Sequence, residues 1–549
     1  DAQPLPAGPV EMDQPAEREL LRAIECKPYL TSAYYKLSQM AMAAGDTAKA
    51  TAYLDKFKQI RESPLAETIE LPQYNQMGDL ALAEPLARPA SPPITKNAYQ
   101  PKPSQVVFQW PKAPAAEPAG NLLGLGCLTA GDLNKDGMLD LVVNLGAGKP
   151  GHLALLRGQS QNQYQEATPG SGLEGITNAL ACALGDYDND GIADLFVARA
   201  GENALFKGKG DGTFTEITGP TGVGGGAALS RGALFLDADH DGDLDLYVCN
   251  AALMNNGNPA PNQLWNNNGD GTFTNIAVSA GWACADKRSV MALPGDFDGD
   301  RDLDLVVLLE GQPAKLFLND LFGKFHETNL VGVSIHGDLG GAVQDVNGDG
   351  ALDLVVLSGG AAGLQLYLGD GAGGFKADGA FGEVAKAAAS HGAPRGFRLA
   401  DIDLDGDLDL TVFAREGHLL LNDGRGRFVF QAGKWKIPET AAFEMLDVNG
   451  DFVNDLLWLE SGPDRKLNLL AGELSPPGTA LAIIPDGVRS RDLRTRSPAS
   501  GFGVLLTARV GLQEHRRLYQ GMSGGACQMH VPAILGLGGA GKADYVSLQ

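Results

Sequence analysis

The sequence predicts a mainly β fold: a seven-bladed β-propeller with a small N-terminal α-helical hairpin and a small C-terminal β domain. Two observations support the propeller. A nine-residue acidic pattern occurs seven times, with successive copies 46 to 59 residues apart, and an apolar run of strand-forming residues follows each copy. Repeats of this length are typical of propellers, solenoids and other repeat arrays.

The acidic pattern is clearest in residues 237–245, which read D-x-D-x-D-G-x-x-D. Carboxylates at positions 1, 3, 5 and 9 and the backbone carbonyl of position 7 can converge on one cation, and such oxygen ligands suit calcium. The glycine at position 6 permits the sharp turn around the ion. Position 12 is Val248, within an apolar run, where an EF-hand has a bidentate Glu. The pattern therefore predicts a calcium loop between two strands.

The other six copies repeat these offsets, so we expect up to seven calcium ions. In the order of positions 1, 3, 5, 7 and 9, the predicted ligands are Asp132, Asn134, Asp136, Met138 and Asp140; Asp186, Asp188, Asp190, Ile192 and Asp194; Asp237, Asp239, Asp241, Asp243 and Asp245; Asp296, Asp298, Asp300, Asp302 and Asp304; Asp345, Asn347, Asp349, Ala351 and Asp353; Asp401, Asp403, Asp405, Asp407 and Asp409; and Asp447, Asn449, Asp451, Val453 and Asp455.

Some loops depart from the pattern. Arg301 and Phe452 occupy position 6 of the fourth and seventh loops, where a side chain disfavours positive φ. Asn134, Asn347 and Asn449 replace Asp at position 3 and lower the ligand charge. We expect the fourth and seventh sites to be present but weaker or distorted.

Each repeat within residues 105–487 follows one plan. A small apolar strand enters the acidic loop, a Val- and Leu-rich strand leaves it, and a third strand such as Leu205-Phe206 comes next. Glycine-rich hairpins such as 210–214 and 269–273 lead to a fourth strand, and Asp-Gly between apolar runs is a strong hairpin signal. Four strands in about 50 residues make one propeller blade.

Residues 105–487 resemble the FG-GAP/VCBS repeat family, whose members form seven-bladed propellers like the head of integrin α chains. In this family calcium is bound at the positions that correspond here to Asp237, Asp239, Asp241, Asp243 (through its carbonyl) and Asp245, and the same offsets carry over to the other loops. Pairing of an N-terminal strand into the last blade would close the ring and remove its exposed edges. The strand near Phe108 is favoured for this pairing, and residues 480–484 are the alternative.

Residues 1–63 form an N-terminal segment in which 1–14 are predicted to be unstructured and 15–62 to be helical. The apolar spacing of the helical part resembles about one and a half tetratricopeptide (TPR) repeats. Thr31 or Ser32, and Asp46, are candidate helix N-caps. A generic helical hairpin is the alternative. Residues 64–104 are a proline-rich linker, which we expect to run extended over a surface.

Residues 488–549 resemble the ASPIC/UnbV domain that follows such propellers in the cartilage acidic protein family. The segments 501–503, 521–525 and 534–538 support this resemblance. The family usually has an HFGLG-like turn and then a short strand ending in Trp-Pro, whereas 534–538 reads ILGLG and no Trp-Pro follows. A truncated chain and a longer gene are the two alternatives.

Composition narrows the function. The formal net charge is −24 and argues against a nucleic-acid partner. The seven loops explain most of it, because 25 of their 28 side-chain ligand positions hold Asp. No apolar run is long enough to span a membrane.

The six cysteines include no CxxC pair, so a zinc or thioredoxin-type site has no support. Cys127 and Cys182 precede their acidic loops by similar distances and could face each other on neighbouring repeats. Cys249 could pair with Cys284. Buried free thiols are the alternative in both cases.

The chain carries no arrangement of residues typical of an enzyme. Gly521–Gly525 matches G-x-S-x-G, but two glycines and then Cys527 follow the serine where a nucleophile elbow needs a helix. A glycine-rich turn is therefore favoured. The eight histidines are scattered, and His240 is predicted to be solvated. Most aromatic residues are predicted to lie in the core, and Trp265 and Trp282 are the two candidates for an exposed surface on which a sugar could stack.

These observations predict a protein that is extracellular or periplasmic, because calcium loops of this kind saturate at the calcium concentrations found there. We expect structural calcium and a protein–protein binding role, as an adhesion or scaffold subunit of a larger assembly. A carbohydrate-binding propeller is the alternative, and an enzyme is the less favoured rival.

Overall fold

The structure is a computed structural model, and the residues it describes are 20–21, 24, 31–43, 46–61, 98–110, 127–144, 153–319, 325–337, 340–360, 363–414, 416–431, 440–460, 466–487, 498–511 and 513–548. The chain forms two compact units. One comprises Asp1–Ser91, Gly299–Arg301 and Ser490–Arg496, and the other comprises Pro92–Asp298, Asp302–Arg489 and Ser497–Gln549.

The smaller unit contains two contacting helices, α1 (Thr31–Ala43) and α2 (Thr47–Arg61). The rings of Tyr35 and Phe57 lie 5.2 Å apart between them. Asp46 caps α2, since its Oδ1 accepts the Lys49 N–H at 3.0 Å, which confirms that N-cap prediction. Much of the first predicted TPR-like stretch, including Ala16, Ala23 and Pro28, lies outside the described residues, as does most of the linker. The TPR resemblance stays a prediction.

The larger unit is built from strands. Two short N-terminal strands come first, β1 (Ala98–Tyr99) and β2 (Gln105–Gln109). Seven sequence repeats follow, numbered repeat 1 to repeat 7. Repeat 1 has β3 (Leu128–Gly131), β4 (Asp140–Asn144), β5 (Leu153–Gln159) and β6 (Gln163–Glu166), and repeat 2 has β7 (Ala179–Gly185), β8 (Asp194–Gly201), β9 (Ala204–Gly208) and β10 (Phe214–Glu216). Repeat 3 has β11 (Ala228–Leu236), β12 (Asp245–Leu253), β13 (Gln263–Asn267) and β14 (Phe273–Asn275), and repeat 4 has β15 (Ser289–Gly295), β16 (Asp304–Leu309), β17 (Pro313–Asn319) and β18 (Phe325–Ser334).

The last three repeats complete the series. Repeat 5 has β19 (Gly340–Gln344), β20 (Asp353–Ser358), β21 (Gly363–Gly369) and β22 (Phe375–Ala377). Repeat 6 has β23 (Gly396–Ala400), β24 (Asp409–Phe413), β25 (Gly417–Asn422) and β26 (Phe428–Gln431), and repeat 7 has β27 (Thr440–Leu446), β28 (Asp455–Glu460) and β29 (Lys466–Leu470). Short helices punctuate the chain: the 3₁₀ turn Ser160–Asn162, α3 (Thr218–Thr221), α4 (Ala277–Ala280) and α5 (Gly379–Ala389).

Each of repeats 1 to 6 is an antiparallel meander of four strands, and the sheets of repeats 2 and 3 are joined through β8 and β11. Repeat 7 has three strands of its own and takes its fourth from the N-terminus, because β2 pairs with β29. The strand near Phe108 therefore closes the last sheet, as the sequence favoured. Residues 480–483 pair elsewhere, with Ala533–Gly536.

The first strands of the seven repeats form a closed ring. Each contacts the first strand of the next repeat, and β27 of repeat 7 contacts β3 of repeat 1. The core consists of the apolar faces of adjacent sheets, with side chains such as Phe235, Leu308 and Val356 almost fully buried. This arrangement is propeller-like, with the repeats packed face to face around a centre.

The C-terminal part of the same unit starts with β30 (Leu474–Ser475), which pairs with β1, and β31 (Ala480–Ile483). A three-stranded sheet has the order β33-β32-β35, and its strands are β32 (Leu505–Val510), β33 (Gln513–Leu518) and β35 (Tyr545–Leu548). The remaining strand is β34 (Ala533–Gly536). Among the described residues, no helix has the length and apolar character that crossing a bilayer requires.

Residues 518–531, here called the central segment, lie inside the ring. Gln528 illustrates their position. Its backbone carbonyl accepts the Leu184 N–H (3.1 Å) and the Thr129 hydroxyl (2.7 Å), and its side-chain Oε1 accepts the Phe235 N–H (2.8 Å). These partners belong to the first strands of repeats 1, 2 and 3. One residue can reach three first strands only from the centre that they surround.

Contacts on the far side of the ring agree. Leu518 exchanges two hydrogen bonds with the side chain of Gln344 in repeat 5, at 2.8 and 2.9 Å. The backbone carbonyl of Ser523 accepts the N–H of Leu399 in repeat 6 at 2.9 Å. The side-chain hydroxyl of Ser523 donates to Glu444 Oε1 in repeat 7, also at 2.9 Å. The centre of the ring is therefore filled by the chain's own C-terminal residues.

Candidate metal centre in the acidic loops

Each acidic loop connects the first and second strands of its repeat, and position 9 is the first residue of the second strand in all seven. The loops thus lie at one end of the ring of first strands. The strand that leaves each loop is apolar and buried, as in β8, β16 and β24, because it lies between neighbouring strands in the sheet. This confirms the sequence prediction that the loops join strands.

The aspartate at position 9 links its loop to the end of the third strand through two hydrogen bonds, and we call this pair of hydrogen bonds the clasp. One carboxylate oxygen accepts the N–H of position 2 of its own loop, and the other accepts an N–H within two residues of the end of the third strand. The seven clasps, each written with its two donors, are Asp140 with Leu133 and Gly158, Asp194 with Tyr187 and Gly208, Asp245 with Ala238 and Asn267, Asp304 with Phe297 and Asn319, Asp353 with Val346 and Gly369, Asp409 with Ile402 and Asn422, and Asp455 with Val448 and Gly472.

The carboxylates at positions 1 and 5 accept backbone N–H groups of their own loop. In the first loop, Asp132 accepts the N–H groups of Asp136 (3.1 Å) and Gly137 (2.9 Å), and Asp136 Oδ1 accepts the N–H of Met138 (2.8 Å). The second, third, fifth and seventh loops repeat these bonds. The carboxylates of positions 1 and 5 are therefore held on the inside of the turn.

Three loops of the larger unit bring three carboxylates together so that one oxygen from each lies within 4.8 Å of the others. These groups are Asp186, Asp188 and Asp194; Asp237, Asp239 and Asp245; and Asp401, Asp403 and Asp409. All three loops have Asp at position 3. Such a set offers only oxygen ligands, which a hard divalent cation prefers, so these residues could hold a metal ion.

Burial raises the pKa of these carboxyls, and repulsion from neighbouring carboxylates adds to it. The pKa of Asp186 and of Asp239 rises to about 6, and that of Asp401 to about 8. The pKa of Asp237 and of Asp409 is raised well above the usual range. Concentrating unneutralised charge in a desolvated loop is unfavourable, and a bound cation would relieve it.

The sixth loop is sealed by the C-terminal residues. Asp401 is 1 % exposed, and its Oδ2 accepts the N–H of Gly536 (2.8 Å) and lies 3.4 Å from Arg517 Nη2. Arg517 also bonds the Gly406 carbonyl at 2.9 Å, and His515 Nδ1 lies 3.0 Å from the same oxygen. The buried Asp401 Oδ1 has no hydrogen-bond partner, so this oxygen could serve as a ligand to a cation.

The chain also supplies a cation to the second loop. Lys207 Nζ is ion-paired with Asp188 and with Asp190, the residues at positions 3 and 5. Burial lowers the pKa of Lys207, but these two carboxylates outweigh burial and raise it. Lys207 thus partly neutralises the loop.

The position-6 substitutions keep the backbone of the glycine loops. Arg301 has φ 74° and Phe452 has φ 67°, close to the 83° of Gly137 and Gly191. Phe452 N–H still bonds Asp447 Oδ2 at 2.8 Å. The left-handed conformation that the sequence expected to be disfavoured is therefore adopted with a side chain present, which costs about 1–2 kcal/mol.

Position 4 is a feature that the sequence analysis missed. It also has positive φ in every loop, through Gly299, Gly348 and Gly450 in three loops and through Lys135, Asn189, His240 and Leu404 in the others. The three glycines were a visible signal for this conformation. The prediction that His240 is solvated was wrong: its ring is half-buried, its Nε2 accepts the Leu303 N–H at 3.2 Å, and burial lowers its pKa to about 4.

The other sequence candidates have structural roles. Gly521–Gly525 is a turn in the central segment, as favoured, where a Cβ on Gly340 would collide with the Gly524 carbonyl. Trp282 is 0 % exposed and packs against Tyr247 and Phe325.

The comparisons with known proteins agree with the repeats. The FG-GAP-like repeat model matches residues 132–197, 186–248, 251–334 and 345–412, and three of these ranges begin at the first residue of an acidic loop. The chain therefore contains FG-GAP-like repeats.

Among curated proteins, cartilage acidic protein 1 of Xenopus tropicalis is 32% identical over 202 residues, which are 34% of this chain and 30% of that protein. The human protein of the same name is 27% identical over 205 residues, 34% of this chain and 29% of that protein. The chain thus spans about 30% of the length of these curated relatives. A solved Agrocybe aegerita lectin that recognises terminal N-acetylglucosamine has a TM-score of 0.41 and 20% identity, and the likeness covers 58% of this chain and 82% of the lectin. That likeness is too low to bear on function.

The clasp predicts a difference between two aspartates of the fifth loop. Asp353→Ala leaves the N–H groups of the buried Val346 and the half-buried Gly369 unpaired and should lower the free energy of unfolding by about 2–5 kcal/mol in EDTA. The matched control Asp349→Ala removes a carboxylate from the same loop, but an exposed one, and should cost less than about 1 kcal/mol. Urea unfolding measures both. Equal losses would contradict a clasp that acts without metal.

The raised pKa values predict a pH dependence for the metal-free protein. The pKa of Asp140 is about 6, those of Asp353 and Asp455 about 7 and that of Asp401 about 8, against about 3.9 in an unfolded chain. Between pH 4 and 8 the folded state therefore binds more protons, and its stability falls as pH rises. In EDTA, Tm should be several degrees lower at pH 8 than at pH 5.5. Excess calcium should remove this fall, and a higher Tm at pH 8 in EDTA would contradict the prediction.

Proposed function

We propose that this chain is an extracellular or periplasmic, calcium-stabilised, seven-bladed β-propeller that binds other proteins as an adhesion or scaffold subunit. The observation that carries the proposal is the shared geometry of the acidic loops, which gather buried carboxylates at one end of the ring.

Calcium is supported by the donor set and by the energetics of the loops. The loops offer carboxylates, amide oxygens and backbone carbonyls, with no nitrogen or sulfur ligand in the acidic groups of the described residues. Calcium accepts six to eight such oxygens in flexible geometry, whereas Mg²⁺ prefers a strict octahedron with several waters. When bound, the ion supplies positive charge where the loop's carboxylates converge, so its role in this chain is structural.

Placement outside the cytoplasm follows from calcium supply. Loops of this open kind on extracellular modules bind with dissociation constants of about 10⁻⁴–10⁻³ M and fill only where calcium is abundant. The similarity to cartilage acidic proteins supports the same placement.

A protein-binding role is supported by what the ring contains. The central segment fills the centre with its own side chains and hydrogen bonds. Its Ser523 hydroxyl donates to Glu444 Oε1 at 2.9 Å, and the same oxygen is paired with the buried Arg398 of repeat 6 at 2.6 Å. A partner would therefore bind the outer surface of the repeats. FG-GAP-like repeats and cartilage acidic proteins are not typical enzyme families, which favours binding over catalysis.

A carbohydrate-binding propeller is not favoured. Sugar platforms need exposed aromatic faces, but Trp110, Trp282 and Trp458 are buried and Trp265 is half-buried among the described residues. Trp265 also donates its Nε1–H to Gln263 Oε1 at 3.3 Å.

The calcium proposal predicts that excess EDTA lowers Tm of the wild-type protein and that calcium restores it. Asp241→Ala removes position 5 of the third loop, so it should lower Tm by less than chelation does and should reduce the bound calcium by one ion per chain. Plasma emission spectrometry after dialysis counts the ions. Asp286→Ala, at an exposed aspartate outside the loops, is the control and should change neither quantity. A melt that chelation leaves unchanged would sink the structural-calcium proposal.

The binding proposal predicts a stoichiometric partner protein. The untagged chain is purified from its native source in calcium and again in EGTA, and every bound chain is identified by mass spectrometry. A partner present at a fixed ratio in calcium and lost in EGTA is the expected result, because the loops stabilise the surface that binds it. A monomer without partner in both buffers would contradict the scaffold role, and a glycan array would then test the alternative.

A further inference from the structure

Three cysteines from distant parts of the chain meet inside the ring. Cys127 lies just before the first strand of repeat 1, Cys182 lies within the first strand of repeat 2, and Cys527 belongs to the central segment. The Sγ atoms of Cys127 and Cys527 are 3.0 Å apart, although 400 residues separate them. The Cys127 thiol also contacts Cys182, and all three are free cysteines.

We propose that Cys127 and Cys527 form a disulfide bond that fixes the central segment to the wall of the ring. Cys182 is the third thiol of the cluster and stays outside the bond. The sequence suggested a different pair, Cys127 with Cys182, because those two precede their acidic loops by similar distances.

The backbone around Cys527 holds it at this position. The neighbouring Gln528 donates its N–H to the Cys182 carbonyl (3.0 Å) and accepts the Leu184 N–H (3.1 Å), and His530 donates to the Ala130 carbonyl (3.0 Å). The segment thus lies between the first strands of repeats 1 and 2 and forms one parallel β-bridge pair with each of them, His530 with Gly131 and Gln528 with Ala183. A disulfide needs its sulfur atoms at about 2 Å, so the two sulfurs must approach by about 1 Å from their separation of 3.0 Å.

The three thiols differ in access and acidity. Cys527 is half-buried, whereas Cys127 is 1 % exposed and Cys182 is fully buried. The contact with Cys127 and the N–H groups of Cys182 and Leu128 hold the pKa of Cys527 below its usual range, while burial raises the pKa of Cys127. Because the thiolate is the attacking species, Cys527 reacts first.

The oxidant in this scheme is a small organic disulfide such as oxidised glutathione. The Cys527 thiolate attacks one sulfur of glutathione disulfide, which forms a mixed disulfide and releases one glutathione thiolate. The Cys127 thiol then loses its proton to solvent and attacks the Cys527 sulfur, which releases the second glutathione thiolate. The two released thiolates take up protons, so two protein thiols and one glutathione disulfide give one protein disulfide and two glutathione molecules.

The test uses the full-length protein, reduced, freed of reductant and then incubated folded with oxidised glutathione. Remaining thiols are alkylated, and a non-reducing tryptic digest is analysed by mass spectrometry. Cys127, Cys182 and Cys527 fall in different tryptic peptides, 113–135, 158–199 and 518–542. The expected product is 113–135 linked to 518–542, with the loss of two hydrogens. A link between 113–135 and 158–199, or glutathione adducts without a link, would overturn the proposal.

Two variants sharpen the result. Cys182→Ser should keep the link between 113–135 and 518–542, and its loss there would overturn the assignment of Cys182. Oxidation should raise Tm of the wild type, because the disulfide restricts the unfolded chain, and Cys527→Ser should abolish both this rise and the link. Cys284→Ser, at a half-buried cysteine outside the cluster, is the control and should keep both. If Cys527→Ser does not fold, the wild type and Cys182→Ser still decide the question. The readout needs neither calcium nor a partner, so its failure would leave the proposed function standing.

Discussion

The buried aspartate at the start of the second strand is the interaction on which each repeat depends. Its two oxygens bind the N–H of the loop's second residue and an N–H at the end of the third strand, as Asp194 does with Tyr187 and Gly208. Without this carboxylate, two backbone donors inside the sheet would be left unpaired, which is costly at each occurrence. The clasp therefore fixes the loop before any ion binds, and positions 1, 3 and 5 are carried on a framework that is already rigid.

That framework creates an electrostatic difficulty. Carboxylates held together away from water repel one another, and burial disfavours their charged form. The chain meets part of this cost with its own cations, Lys207 beside the second loop and Arg517 beside the sixth. One such group cannot neutralise four carboxylates. The remaining charge is what the proposed divalent cation would neutralise, and folding would then be sensitive to the supply of that cation.

The sequence predicted the features that are encoded locally. The seven loops, the strands that leave them, the closing strand near Phe108 and the Asp46 cap all depend on residues close together in the chain or on a repeated pattern. It missed features that depend on distant contacts or on backbone conformation. The bonds of Gln528 to Phe235 span 293 residues, and no periodicity indicates such a pairing. The left-handed conformation at position 4 was hidden wherever Lys135, His240 or Leu404 replaces glycine.

The central segment explains why the C-terminal residues and the repeats form one compact unit. The first strand lies at the edge of its sheet in six of the seven repeats, and in repeat 3 β11 pairs with β8 only at Ala228 and Leu229. The other inner N–H and C=O groups of these strands therefore face the middle of the ring. Such edges are unstable when left unpaired, and water or added chain must satisfy them. Here the segment bonds Ala130, Leu184 and Leu399, which lie on three different first strands. The ring and the segment therefore complete each other, and the C-terminal residues are a structural part of the propeller-like fold.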